Sequence, residues 1–166
     1  KQQLGNSQGR DDDYIQAARS VAGVFHAYVF RRRRGLGSTD VAVTMYGSSG
    51  ADVPSPAFLW RVQAALEDAA VTHEEVRAYA PDPVALDVSA VVQGRNLDAL
   101  AVQQTIESYL DGLEPAQPYR ESVLSSLILA LPGTTDVQLT PNNTLNPQVD
   151  WMRLERFRRG TVTVTV

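Results

Sequence analysis

The side chains best equipped for chemistry in this sequence are its arginines, which gather in two runs: Arg31, Arg32, Arg33 and Arg34, then Arg153, Arg156, Arg158 and Arg159. A guanidinium fork pairs bidentately with a carboxylate or a phosphate. Three readings follow. The runs are solvated hairpin ends that keep neighbouring strand edges from pairing; or Arg31, Arg32, Arg33, Arg34, Arg158 and Arg159 form a protein interface, meeting the carboxylates of a neighbour; or they touch nucleic acid. The last is the weakest, because no aromatic residues are interleaved for base stacking. The formal net charge of -4 also runs against the basic excess of general nucleic-acid binders.

Other chemistry is thinly supported. His26 and His73 are the only histidines, and a metal or acid-base site on either would need carboxylates converging on it. Asp11, Asp12 and Asp13 read better as acids at a helix start, and His26 as a hydrogen-bonded strand residue. With no cysteine, disulfides, thiolate nucleophiles and cysteine zinc sites are excluded. The serines lie in no Gly-x-Ser-x-Gly elbow, and the pairs Gly35, Gly37 and Gly47, Gly50 lack the lysine of a phosphate loop. Asn142-Asn143-Thr144 matches a glycosylation acceptor only formally, there being no export signal. The expectation is no enzyme, no cofactor and no metal.

The elements that would carry these residues can be read in order. At 166 residues, with 43% hydrophobic and 20% charged side chains, the chain is expected to fold as one domain or two small lobes. No apolar run approaches the ~20 residues that span a bilayer, and KQQLGNSQGRDDD lacks the apolar middle of a signal peptide. A flexible polar stretch over 1–10 precedes a helix with Tyr14, Ala17, Ala18 and Val21, stopped by Gly23. Strands over 24–30 and 41–46 then form a hairpin with a basic tip. After the loop GSSGADVPSP, Ser55 caps a helix that has proline at its first position and Phe58, Val62, Ala65, Leu66 and Ala69 on one face. A strand over 75–79 follows.

Ala80-Pro81-Asp82-Pro83 reads as a boundary that interrupts regular pairing. Beyond it come a strand over 84–92, a helix over 97–113 and a second helix carrying Val123, Leu124, Leu127, Ile128 and Leu131, stopped by Gly133. A strand over 136–139, the turn-rich TPNNTLNP and a charge-free strand over 161–166 close the sequence. That last strand is either paired inside the fold or able to augment a partner's sheet. The order predicts an α+β fold of two lobes, 11–80 and 84–166, with helices on one face of mixed or antiparallel sheets and ferredoxin-like split βαβ elements. There is also an internal echo: Tyr14 to Tyr46 and Tyr119 to Val166 each read as helix, glycine, strand, arginine-rich turn before glycine, and Thr/Val-rich strand.

Several stretches together carry a resemblance. DDDYIQAARSVAGVFHAYVF with RGLGSTDVAVTMYG, then VPSPAFLWRVQAAL, VRAYAPDPVALDVSAVV, VQQTIESYLDGLEP, and finally SVLSSLILALPGTTDVQLTPNN with RRGTVTVTV, resemble in this order the baseplate J-like family of contractile phage tails, related prophages and phage-derived injection machines. The resemblance runs from about Asp11 to Val166 and rests on the order of many short motifs. It implies a structural wedge component at the virion baseplate, or in the bacterial cytoplasm during assembly. It would pack against other tail proteins and copies of itself, with no catalytic residues to carry over. Such proteins have a further N-terminal region, so the resemblance also implies that the chain is a fragment.

Overall fold

The computed structural model describes residues 9–47, 50–71 and 73–166, so the expected flexible stretch over 1–10 lies mostly outside the described residues. The chain divides into two compact units: Lys1–Pro81 with Asp150–Arg153, and Asp82–Val149 with Leu154–Val166. The fold is α+β.

The first unit opens with α1 (Asp11–Ser20), whose start is fixed by its acids: Asp13 Oδ2 accepts a hydrogen bond from Arg10 N at 3.0 Å. Gly23 turns the chain with φ 100°, and a Cβ there would stand 2.9 Å from the Phe58 ring. β1 (Val24–Arg31) and β2 (Ser38–Gly47) pair antiparallel, Val29 opposite Val41, which bears out the hairpin. Part of the expected loop is instead a short strand, β3 (Gly50–Asp52), because Ala51 and Asp52 find ladder partners in Tyr46 and Met45.

α2 (Pro56–Ala69) begins as its residues dictate, Ser55 Oγ accepting from Phe58 N at 3.3 Å. It leads to β4 (Glu75–Tyr79), which lies parallel to β2 as its direct neighbour. Tyr14, Ala18, Val41, Val43, Phe58, Val62 and Leu66 fill the core between helices and sheet.

In the second unit β5 (Asp82–Gly94) alternates between buried and exposed residues, with Leu86, Val88, Ala90 and Val92 inward. α3 (Ala99–Asp111) is capped by Asp98, whose Oδ1 accepts from Leu100 N and Ala101 N. α4 (Glu121–Leu129) and β6 (Thr134–Thr140) follow, then β7 (Glu155–Thr165). The sheet order is β6-β5-β7, with β6 antiparallel and β7 parallel to β5. Ile106, Leu110, Tyr119, Leu124 and Ile128 are fully buried against it.

Two sequence expectations are corrected here. The prolines do not interrupt pairing: β5 starts at Asp82 and Pro83 pairs with Arg156 of β7. β6 joins β5 only from Ser89 onward, so Pro83 sits where β5 has a single neighbour and a missing N–H is tolerated. Nor is there a second arginine-rich turn. Arg158 and Arg159 lie inside β7, which continues through Gly160 with a shift of register opposite Asp87, and β5 separates β7 from β6, so these two strands make no hairpin.

Candidate assembly interface

The first arginine run lies at the β1-β2 turn, and the turn sorts its members. Arg32 has φ 60° and is exposed. Arg31, at the end of β1, donates through Nε to Asp11 Oδ1 at 2.6 Å, through Nη1 to Glu74 Oε1 at 2.8 Å and through Nη2 to Gly9 O. Glu74 is a hub, since the hydroxyls of Tyr14 and Thr39 also donate to it. Burial first, and then the hydrogen bond to this carboxylate, push the Tyr14 phenol up to about 12.

Arg33 and Arg34 converge on one carboxylate. Asp40, fully buried in β2, accepts from Arg33 Nε at 2.6 Å and from Arg34 Nε at 2.7 Å. The Arg33 side chain is 4% exposed, stacks 4.3 Å from the centre of the Tyr79 ring, and donates through Nη1 to Asp150 O and Arg153 O. Its Nη2 is buried without a hydrogen-bond partner. Arg34 also reaches Glu75 Oε1 at 2.7 Å. Burial opposes the charge on Arg34, but the bonds to Asp40 and Glu75 outweigh it and its pKa is raised. The Arg34 hydrogen bond in turn holds Glu75 below the usual carboxylate range.

Those two carbonyls belong to a tight turn. Asp150 Oδ1 accepts from Met152 N and Arg153 N, and Asp150 N donates to Arg153 O. Trp151 and Met152 stand at its tip, 67% and 66% exposed.

The second run works on a helix end. Arg156 is buried and donates to Asp111 O at 3.2 Å, the last carbonyl of α3, and to Leu113 O at 2.9 Å just beyond the helix. Arg159 pairs with Glu107 of α3 and lies 3.6 Å from Asp111 Oδ1. Arg158 is exposed on β7. Of the six candidate arginines, Arg31, Arg33, Arg34 and Arg159 therefore hold carboxylates of their own chain, Arg32 is exposed at the turn, and Arg158, though exposed, is not without a partner.

His26 is half-buried, its ring edge-on to Phe25 at 4.4 Å, and His73 takes φ 76° in the turn before β4. Among the described residues no group of three or more histidines and acids could hold a metal, and no helix is long and apolar enough to cross a membrane. The α2/β4 groove that includes Trp60 is a surface that sequence reasoning missed, because its two walls are unrelated in sequence.

A family model described as the baseplate J-like central domain matches residues 6–92, which take in α1 to β4 and most of β5. No curated protein matches the chain in sequence. The fold is similar to a chain in the cryo-EM structure of the anti-feeding prophage (AFP) baseplate, 6-fold symmetrised. The TM-score is 0.58 at 12% identity, over 90% of the present chain and 36% of that chain. At that identity the likeness is one of fold, and the present chain spans about a third of the other's length.

Proposed function

Because the chain belongs to the baseplate J-like family, through its central domain, we propose that it is a structural component of a contractile-tail baseplate, working in the wedge by protein-protein assembly. The observation that carries this reading is the central-domain match over more than half of the chain. The fold likeness to a prophage baseplate chain supports it. So does the way the polar chemistry is spent: buried guanidinium-carboxylate pairs brace the hairpin and the Asp150–Arg153 turn, while Trp60, Trp151 and Met152 are left on the surface. Exposed tryptophan on a braced framework is what an assembly part offers a neighbour. Its partners are other baseplate proteins and copies of itself, and its place is the virion baseplate, reached from the bacterial cytoplasm during assembly.

The test is reconstitution with the other proteins of the same tail. Complexes that survive moderate salt support assembly. DNA binding that falls steeply with salt, and disappears when Arg32 and Arg158 are changed to alanine, would instead establish the nucleic-acid reading.

A further inference from the structure

In a parallel ladder, alternate residues of an edge strand turn their N–H and C=O toward the neighbour, and the others turn outward. On β4 the inward residues begin with Glu75, whose N donates to Gly37 O at 2.8 Å. Val76 and Ala78 therefore face away from β2. Their edge is not bare: Gln63 of α2 lays its carboxamide along it, Nε2 donating to Val76 O at 2.9 Å and Oε1 accepting from Ala78 N at 2.7 Å. One donor and one acceptor in this placement reproduce what one residue of an added strand would present through its own N–H and C=O. The remaining Nε2 hydrogen goes to Glu67 Oε1 at 2.8 Å.

Beside this carboxamide runs an open groove of about 510 Å³. Leu59, Val76 and Ala78 line it, and Trp60, 74% exposed, stands at its side. Glu67 lies on the same rim and makes no ion pair among the described residues. If Gln63 swings out, Glu67 loses its donor and a cation is the complementary replacement. A strand entering here would find main-chain partners, an apolar wall and two carboxylates, of which Glu75 is already held by Arg34 and Arg77 and Glu67 is the one left to a partner's cation.

We propose that the outer edge of β4 is a strand-addition site. Its occupant is an extended segment of a partner polypeptide, with apolar side chains on alternate positions toward α2 and a lysine or arginine meeting Glu67; Gln63 is the removable plug. This rests on the assembly reading and names the chemistry of one contact within it.

The probe is the acetylated, amidated peptide Val-Thr-Val-Thr-Lys-Thr, compared with its counterpart carrying glutamate in place of lysine. The sequence has two tryptophans, so Trp151→Phe leaves Trp60 as the sole tryptophan of the full chain, excited at the red edge where tyrosine does not absorb. Trp60 emission shifts to the blue and saturates with the lysine peptide, and the glutamate peptide binds about tenfold more weakly. Gln63→Ala tightens the lysine peptide severalfold by removing the competitor. Ala78→Pro deletes only the outward N–H and abolishes binding; should it fail to fold, Trp60→Ala, followed by calorimetry, weakens binding about tenfold.

Equal affinity for the two peptides, or an unchanged or weaker affinity in Gln63→Ala, overturns the proposal. A Gln63→Ala chain that dimerises through this edge without peptide overturns the stated occupant in favour of a second copy. Complexes with the other tail proteins that form normally and ignore both Trp60→Ala and Ala78→Pro remove the strand site and leave the baseplate reading standing.

Discussion

In the first unit the central strand is β2, with β1 antiparallel on one side and β4 parallel on the other; in the second it is β5, with β6 antiparallel and β7 parallel. The helices follow suit. α1 packs on β1 as α4 does on β6, and α2 packs on β4 as α3 does on β7. Even the glycine turns correspond: Gly23 O accepts from Tyr46 N at the end of β2, and Gly133 O accepts from Arg95 N just past β5. Yet the chain orders differ, α1-β1-β2-α2-β4 against β5-α3-α4-β6-β7, with β3 an addition to the first. Moving β5 and α3 to a place between β6 and β7 would turn the second order into the first. The layers are set by which faces must be buried, and more than one chain path satisfies them.

The units part company over charge. β2 is buried on both faces and carries Asp40 between two guanidinium groups, whereas β5 alternates and leaves Asp87 exposed, its Oδ1 accepting from Thr161 N at 2.6 Å. The largest expected effect tests this difference. Asp40→Ala strands the buried Arg33 without a carboxylate, leaves Arg34 only Glu75, and costs about 3–5 kcal/mol in urea unfolding, while Asp87→Ala costs about 1 kcal/mol. Equal losses would break the comparison.

Next is an alkaline titration in which the units should behave alike. Tyr14 and Tyr119 are fully buried, one in each unit, and burial is the main reason both phenols are pushed up to about 12 from 10.0. Folded pKa values above the unfolded ones mean that the unfolded chain loses its protons first. This stabilisation is complete below pH 10 and is lost as pH rises toward about 12. Absorbance at the phenolate band should show Tyr14 and Tyr119 ionising late, and Tyr14→Phe or Tyr119→Phe should each remove its own late step.

The glycine turns sharpen the parallel further. Gly23→Ala and Gly133→Ala both force a left-handed backbone on alanine, at about 1–3 kcal/mol each. Gly133→Ala should be the costlier, because its Cβ would meet Arg95 O at 2.1 Å, backbone that cannot swing aside, against the Phe58 ring at 2.9 Å for Gly23. Thermal unfolding of the pair ranks them. Smallest is Arg159→Ala, which removes a half-exposed pair with Glu107 and should cost no more than about 1 kcal/mol.

Much of this was legible beforehand. Ser55-Pro56 announced the start of α2, alternation marked β5, and Val24 to Tyr46 read as a hairpin with its basic tip, because caps, periods and turns are local and repeat within a few residues. The echo was legible only as far as helix, glycine and edge strand. Its final strand failed because nothing local in β7 records that its partner is β5 and not β6. The arginines were found, but not their duties: Asp40 follows Arg33 by seven positions, whereas the Asp150 and Arg153 carbonyls lie more than a hundred residues away. Arg156 gave no hint that it would close the end of α3. Gln63 looked like one more polar residue on a helix surface until β4 came beside it.

By itself, then, the sequence determined most of the elements, the Ser55 cap, the α+β class and the string of motifs that marks the baseplate J-like family, all of which depend on short-range sterics and periodic burial. Tertiary structure alone decided which strands are neighbours, which guanidinium groups are spent inside the chain, and which edge is plugged. Those outcomes depend on packing between segments far apart in sequence, where the desolvation of a charge or an open strand edge selects the partner and local propensity is silent.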